Sequence, residues 1–149
     1  MKLTFKINRF VTVALTAAVL FFSASSGVMA KKSQQIYIIT NNLSEINTLS
    51  ASDVKRIFKK EKTKIKGKSI IPINAKKTSP LRKAFVNSLF HMSISEEITF
   101  WQTQKVRTGL QPPIELSNTV KAVFSIRTGI SYCFAKDYKP GTSKILFKI

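Results

Sequence analysis

Acidic residues are scarce in this chain, in which 7 Asp and Glu residues stand against 25 Lys and Arg residues. Histidine and cysteine occur once each, as His91 and Cys133. The sequence therefore offers no His/Cys/Asp/Glu cluster for a metal, no catalytic pair of carboxylates and no Ser/His/Asp or Cys/His arrangement. We expect no catalytic residues, no metal and no cofactor, and we predict that the protein is not an enzyme.

A single cysteine also excludes a disulfide within the chain, so stability must come from packing. Cys133 lies in an apolar run, residues 130–134, and is predicted to be a buried small hydrophobic residue. The sequence shows neither an internal repeat nor a low-complexity segment.

The first thirty residues have the pattern of a secretory signal peptide. A basic start is followed by an apolar run, residues 10–22, and by small residues that end at Ala30. The apolar run is shorter than the ~20 residues that a membrane-spanning helix needs. We predict a signal peptide at residues 1–30, a periplasmic protein and one domain at residues 31–149. An uncleaved N-terminal anchor is the alternative.

The formal net charge is +18, of which Lys2, Lys6 and Arg9 contribute three, leaving +15 for residues 31–149. Such a charge predicts attraction to polyanions, such as anionic lipid headgroups or acidic polymers. For an exported protein, intracellular nucleic acid is not an expected partner.

Hydrophobic patterns predict an α/β domain in which a small mixed β-sheet is flanked by helices. Strands are predicted at 35–40, 69–74, 130–134 and 145–149. A first helix is predicted to begin after Ser50 or Ser52 and to end at Phe58, so that the first two strands and this helix form a βαβ unit. Further helices are predicted from Ser79 and from the Ser93/Glu96 capping box.

The second half of the chain holds three further predictions. We expect Trp101 to pack in the core, and residues 104–114, with Pro112-Pro113, to form an irregular connection. Ser117 is the best cap for a last helix, which Gly129 is predicted to end.

The most informative segment is 74–85, where a strand, a polar turn and a helix start follow one another. Ser79 is a favourable N-cap, and Pro80 then occupies the first helical position. Helix N–H groups and nearby cations at such a place can bind an oxyanion. The residues predicted to bind it are Lys76, Lys77, Thr78, Ser79 and Arg82. An ordinary capped helix with solvated lysines is the alternative.

A second basic segment, residues 55–68, holds eight cations and a single acid, Glu61. In an extended chain, every second lysine would project from one side. The segment is either a solvated loop or a docking patch for polyanions, in which case the predicted residues are Lys59, Lys60, Lys62, Lys64, Lys66 and Lys68. No aromatic residues alternate with residues 59–68 to stack on nucleic-acid bases.

Several segments together resemble the phosphate ABC-transporter substrate-binding proteins. The matching stretches are LSASDVKRIFKK, IIPINAKKTSPLRKAF and ITFWQTQKVRTGLQPPIELSNTVKAVFSIRTGISYCFAK. The aromatic pair Phe100-Trp101, Pro112-Pro113 and the Gly129-Ile130-Ser131-Tyr132 strand occur in the family's order.

The resemblance implies a short, single-lobe relative of the type 2 periplasmic-binding fold. Family members have two lobes with the anion between them, whereas this chain is long enough for about one. Ser79 takes the place of the family's phosphate-loop serine, and Pro80 and Leu81 replace the Gly-Thr that follows it.

The implied function is non-catalytic binding of phosphate or a similar oxyanion, linked to phosphate uptake, with a membrane transporter as a partner. The alternative function is a cationic module of the cell envelope that binds anionic polymers or a partner protein. Polyanion binding through many exposed lysines should weaken steeply with salt, whereas a pocketed phosphate should be less sensitive.

Overall fold

The computed structural model describes residues 34–149. The predicted signal peptide and its cleavage site lie outside these residues. Strand β1 (Ile36–Asn41) is followed by helix α1 (Ala51–Phe58) and by the hairpin β2 (Lys64–Ile65) and β3 (Lys68–Ser69). Next come β4 (Ile71–Ala75), α2 (Pro80–Phe90), α3 (Ile94–Thr108) and β5 (Ile114–Leu116). Helix α4 (Thr119–Ser125), β6 (Gly129–Phe134), a 3₁₀ turn (Ala135–Asp137) and β7 (Ser143–Lys148) complete the domain.

Five strands form one mixed sheet in the order β5-β4-β6-β1-β7. The predicted α/β class and mixed sheet are therefore confirmed. β4 pairs in parallel with β5 and with β6, whereas β1 pairs antiparallel with β6 and β7. The βαβ prediction for β1, α1 and β4 was wrong: β4 is parallel to β6 and β1 is antiparallel to it, so β1 and β4 run in opposite directions. β1 has buried apolar residues on both faces, which a position inside the sheet satisfies.

Helices cover both faces of this sheet. Successive residues of a strand point to opposite faces, so Ile38 and Tyr132 pack in one core and Ile39 and Cys133 in the other. Residues of α1 and α2 complete the first core, and residues of α4 complete the second. Cys133 is buried as predicted, and burial, assisted by the nearby Asp137 carboxylate, raises the pKa of its thiol to about 12.

Three of the four helices begin at the N-cap residues that the sequence predicts. Ser50 and Ser93 each form a capping box, and Ser79 caps α2 with Pro80 as the first helical residue. The last cap differs from the prediction: Asn118, not Ser117, accepts the N–H of Lys121 through its side chain. Asn and Ser are about equally good caps, so residue type alone did not separate the two neighbours.

The predicted irregular connection at 104–114 was wrong at both ends. Helix α3 continues to Thr108, where Gly109 adopts the left-handed conformation (φ 73°) and ends it. Residues 114–116 then form the edge strand β5. All three β5 residues are exposed, so no burial pattern signals this strand in the sequence.

The basic segment folds as a tight hairpin instead of one extended run. Lys66 (φ 48°) and Gly67 (φ 76°) form its two-residue turn with positive φ at both positions. Positive φ at both central residues is the geometry that joins two antiparallel strands with the correct twist. The lysines at 62, 64, 66 and 68 therefore do not line one side of a single strand.

Gly129 was predicted to end the last helix, but it is the first residue of β6. A Cβ atom at this position would lie 2.8 Å from Ile126 O and 2.8 Å from Ile73 Cδ1. Ile126 O also accepts the Gly129 N–H at 2.8 Å, so this carbonyl has no freedom to withdraw. Glycine is needed here because the Ile126 carbonyl and the Ile73 side chain lie close to this backbone position.

We therefore expect Gly129→Ala to lower the free energy of unfolding by about 1–3 kcal/mol, the usual cost of forcing an extra methyl into a packed site. Urea unfolding followed by Trp101 fluorescence measures this change. Thr128→Ala is the matched control, since Thr128 is exposed, and it should change stability by less than about 0.5 kcal/mol. Equal stability of the Gly129→Ala variant and the unsubstituted protein would contradict the close approach.

Candidate functional site

The parallel strands β4, β5 and β6 end at the same edge of the sheet. In open α/β sheets, ligands bind in the crevice beyond the carboxyl ends of the strands. At this edge β4 leads into the turn 76–79 and helix α2, β5 leads into α4, and β6 leads into the 3₁₀ turn. The carboxyl edge of these three strands is therefore the candidate functional site.

The turn 76–79 brings most of the predicted site residues together. The Ser79 N–H donates to Lys76 O at 2.9 Å, which closes a four-residue β-turn. Lys76, Lys77 and Thr78 are exposed, and Ser79 is half-buried. Two ammonium groups and two hydroxyl groups thus lie on one short segment in contact with solvent.

The first turn of α2 offers fewer unbonded N–H groups than the start of an uncapped helix would. The Arg82 N–H donates to Ser79 Oγ at 3.1 Å, the Lys83 N–H donates to Ser79 O, and Pro80 has no N–H. Among the described residues, the Leu81 N–H has no acceptor. The Lys77 and Thr78 N–H groups of the turn also have no acceptor among these residues, so the site supplies three backbone donors, together with the hydrogen of the Ser79 hydroxyl.

Arg82, the fifth predicted site residue, points into the protein. Its side chain is 2% exposed and forms two parallel bonds with Glu97 of α3, Nε to Oε2 at 3.0 Å and Nη2 to Oε1 at 2.5 Å. Its third nitrogen, Nη1, donates to the Tyr132 hydroxyl at 3.2 Å. This guanidinium already has a carboxylate partner, so the structure gives it a positioning role that holds α2 against α3 and β6.

Tyr132 connects this ion pair to the end of β4. Its hydroxyl accepts from the Ala75 N–H at 3.1 Å and donates to Asn74 Oδ1 at 3.3 Å, while its ring stacks on Phe85 with 3.7 Å between centroids. Burial raises the pKa of Tyr132 despite the opposing effect of the Arg82 charge, so the phenol keeps its proton at neutral pH. Asn74 and Ala75 directly precede the 76–79 turn, and the network therefore fixes where the turn begins.

Two cavities flank the start of α2. One, of about 200 Å³, is lined by Lys77, Trp101, Lys105 and Glu115. The other is a wide groove of about 750 Å³ whose lining includes Leu81, the Asp137 carboxylate and the exposed cations Lys121, Lys136 and Lys139. Both put cationic side chains next to the turn, a surrounding that suits an anionic ligand.

The second predicted group, the polyanion patch, is divided by the fold. Lys62 pairs with Asp53 at 2.7 Å, Lys68 pairs with Glu45, and the Lys59 ammonium lies over the Phe90 and Phe100 rings at 5.9 and 5.7 Å. Lys64 and Lys66 remain exposed on the hairpin, and Lys60 is half-buried. The patch is thus a hairpin with a few free cations at the amino edge of β4, away from the 76–79 turn.

Three residues near the site were not predicted from the sequence: Glu97 as the partner of Arg82, Tyr132 as a hydrogen-bonding residue, and Lys136. Glu97 lies 15 positions from Arg82 on another helix, and a pairing of that kind leaves no local pattern. In residues 34–149 no group of His, Cys, Asp and Glu could hold a metal ion, and no helix is long and apolar enough to cross a membrane.

Glu97→Gln should lower the free energy of unfolding by about 3 kcal/mol, because the buried Arg82 charge would lose its carboxylate. Urea unfolding measures this, with Trp101, which shares a cavity with Glu97, as the fluorescent reporter. Glu96→Gln is the matched control: Glu96 is exposed, and glutamine can keep its capping bond to the Ser93 N–H. Equal effects of the two substitutions would show that the ion pair does not hold α2 and α3 together.

Comparison with known proteins supports the fold. No protein-family model and no curated protein matches the sequence. The structure is similar to the crystal structure of an ABC-type phosphate transport receptor from Vibrio cholerae, with a TM-score of 0.56 and 11% sequence identity. The match covers 74% of this chain and 44% of the receptor chain, so the chain spans less than half of the receptor's length. At this identity the likeness shows a periplasmic-binding-protein-like α/β fold.

Proposed function

We propose that this protein is an extracytoplasmic, non-catalytic solute-binding protein whose ligand is phosphate or a similar oxyanion. The observation that carries the proposal is the exposed, cationic turn 76–79 at the carboxyl edge of the sheet, in a fold similar to that of a phosphate transport receptor. The proposed ligand contacts are the Leu81 N–H, the Thr78 and Ser79 hydroxyls and the Lys76 and Lys77 ammonium groups.

Arg82 does not contact the ligand in this proposal; it holds the start of α2 in place. Its bonds to Glu97 and Tyr132 set the angle at which α2 leaves the turn. The site is open to solvent on the turn side, so each charged contact is screened and contributes modestly. We therefore propose weak, saturable oxyanion binding, and link it to phosphate uptake through a membrane transporter.

Calorimetric titration of the purified protein with inorganic phosphate tests this proposal. One-site binding should persist when salt is raised, and sulfate should compete. Ser79→Ala should weaken binding about tenfold, since it removes a hydroxyl donor next to the anion. The double variant Lys76→Gln/Lys77→Gln should weaken it by a similar factor.

The control has the same net charge as the double variant. Arg56→Gln/Lys148→Gln removes two exposed cations from α1 and β7, so phosphate affinity should stay within about twofold. Equal losses in both double variants would show that only the overall charge matters, and absence of heat with the unsubstituted protein would reject the oxyanion function.

Polyanion binding is the second candidate function. It is favoured by the net charge of +15 over residues 31–149 and by the exposed lysines of the β2–β3 hairpin. Heparin serves as the probe: attachment through many exposed lysines should fall steeply as salt increases, whereas phosphate binding at the turn should fall much less.

The extracytoplasmic location rests on the signal-peptide pattern and has its own test. We expect the exported protein to begin at Lys31, and intact-mass spectrometry of the secreted chain measures this. Ala30→Arg should block cleavage, because the peptidase reads a small residue at that position, whereas Gln34→Arg should leave it unchanged. An exported chain that still carries residues 1–30 would support the anchor alternative.

A further inference from the structure

A separate cleft lies at the opposite, amino edge of β4 and β6, at the other end of these strands from the 76–79 turn. It has a volume of about 270 Å³ and is enclosed by three segments: the 43–46 loop, the β2–β3 hairpin and the Arg127-Thr128 turn. Its floor is apolar, with Ile46 and Ile70 buried and Ile65 half-buried. Leu43, which is 68% exposed, forms an apolar lip.

The rim of this cleft is cationic. Lys66, Lys68 and Arg127 line it, and the one carboxylate among its lining residues is that of Glu45, which pairs with Lys68. The pKa of Glu45 is lowered by its bond to Lys68 and further by the charges of Lys66 and Arg127. All three cations therefore stabilise a negative charge at the position of this carboxylate. The cleft therefore attracts negative charge at its rim while its floor favours an apolar group.

The loop that carries Leu43 is held in place by side-chain bonds. Asn41 Nδ2 donates to the Val123 and Phe124 carbonyls at 3.1 and 2.8 Å, and its Oδ1 accepts from the Leu43 N–H at 2.8 Å. Lys144 Nζ donates to Ser44 O and, at 2.8 Å, to Asn47 Oδ1. The lip is thus fixed by contacts with α4 and β7.

The other two walls are fixed as well. The Ile70 N–H donates to Thr63 O at 2.9 Å at the base of the hairpin, and the Ile71 N–H donates to Thr128 O at 3.0 Å. A cleft whose walls are already ordered binds with little loss of conformational entropy. The apolar lip of the cleft is open to solvent, because no apolar side chain among the described residues covers Leu43.

We propose that this cleft binds an acidic peptide segment of a partner protein, with one large apolar side chain of that segment inserted between Leu43 and the hairpin. Charge complementarity with the cationic rim selects acidic flanks. The volume lies just below the range of about 300–1,000 Å³ for small-molecule pockets and suits a single anchoring side chain. A concave cleft with an exposed apolar lip favours an inserted peptide over a flat lipid surface.

The test uses two fluorescein-labelled peptides of equal charge, in which Glu and Asp residues flank a central Phe in one and a central Ala in the other. Fluorescence anisotropy with the purified protein measures both affinities. The Phe peptide should bind about tenfold tighter than the Ala peptide, because only its side chain fills the apolar floor. Equal affinities would overturn the proposal, since binding would then depend on charge alone.

Two rim cations can be removed without endangering the hairpin. Lys66→Asn creates an Asn-Gly pair, which this turn geometry favours, and Arg127→Gln neutralises an exposed side chain. The double variant should weaken Phe-peptide binding about five- to tenfold. The matched control Lys105→Gln/Arg107→Gln, on α3, has the same net charge and should stay within about twofold; equal losses would overturn the proposal.

Two single variants give readouts that general electrostatics would not produce. Leu43→Ser should abolish most of the preference for Phe over Ala, because it removes the apolar lip. Glu45→Gln should strengthen binding about two- to threefold beyond Glu61→Gln, which removes one exposed carboxylate outside the cleft. An unchanged Phe preference in Leu43→Ser would overturn the proposal, as would equal effects of the two Glu→Gln variants.

Binding to phosphatidylglycerol vesicles tests whether the cleft binds lipid instead of a peptide. Vesicle binding that is lost in Leu43→Ser and in the rim double variant, with no preference for the Phe peptide, would assign the cleft to lipid and overturn the proposal. This cleft is independent of the proposed oxyanion site: Lys66→Asn/Arg127→Gln should leave phosphate titration unchanged, and Ser79→Ala should leave peptide binding unchanged.

Discussion

The buried contact of Arg82 with Glu97 and Tyr132 is the interaction on which the carboxyl edge of the sheet depends. It joins α2, α3 and β6 at one point, and through Tyr132 it reaches the last two residues of β4. A charged pair in this position is costly to desolvate and therefore stabilises only while both partners are present. The short turn that follows β4 owes its position to this contact, although none of the residues 76–79 takes part in it.

The two edges of the sheet present different chemistry. At the carboxyl edge, hydroxyl and ammonium groups lie together on one exposed turn, an arrangement suited to a small anion. At the amino edge, cations surround an apolar floor, an arrangement that suits a ligand with both acidic and apolar parts. Cations therefore lie at both edges, beside hydroxyl groups at one and around an apolar floor at the other.

Local signals in the sequence predicted local structure well. The caps at Ser50, Ser79 and Ser93 and the buried strands β1, β4 and β6 follow from residue type and apolar periodicity, and all are present. The predictions that were wrong or missing concern contacts between distant parts of the chain. The antiparallel position of β1, the exposed edge strand β5 and the burial of Arg82 against Glu97 are decided by pairing across the fold, and no local pattern records such pairing.

The position of β1 also bears on when this chain can fold. β1 is the first described strand, yet both of its neighbours, β6 and β7, come from the last 21 residues, and Ile36 and Ile149 exchange backbone hydrogen bonds. Contacts so distant in sequence make folding slow, and here the sheet is incomplete until β7 is available. During synthesis, β1 therefore has no strand to pair with until β6 and β7 have been made, and its apolar residues stay uncovered on both sides until then.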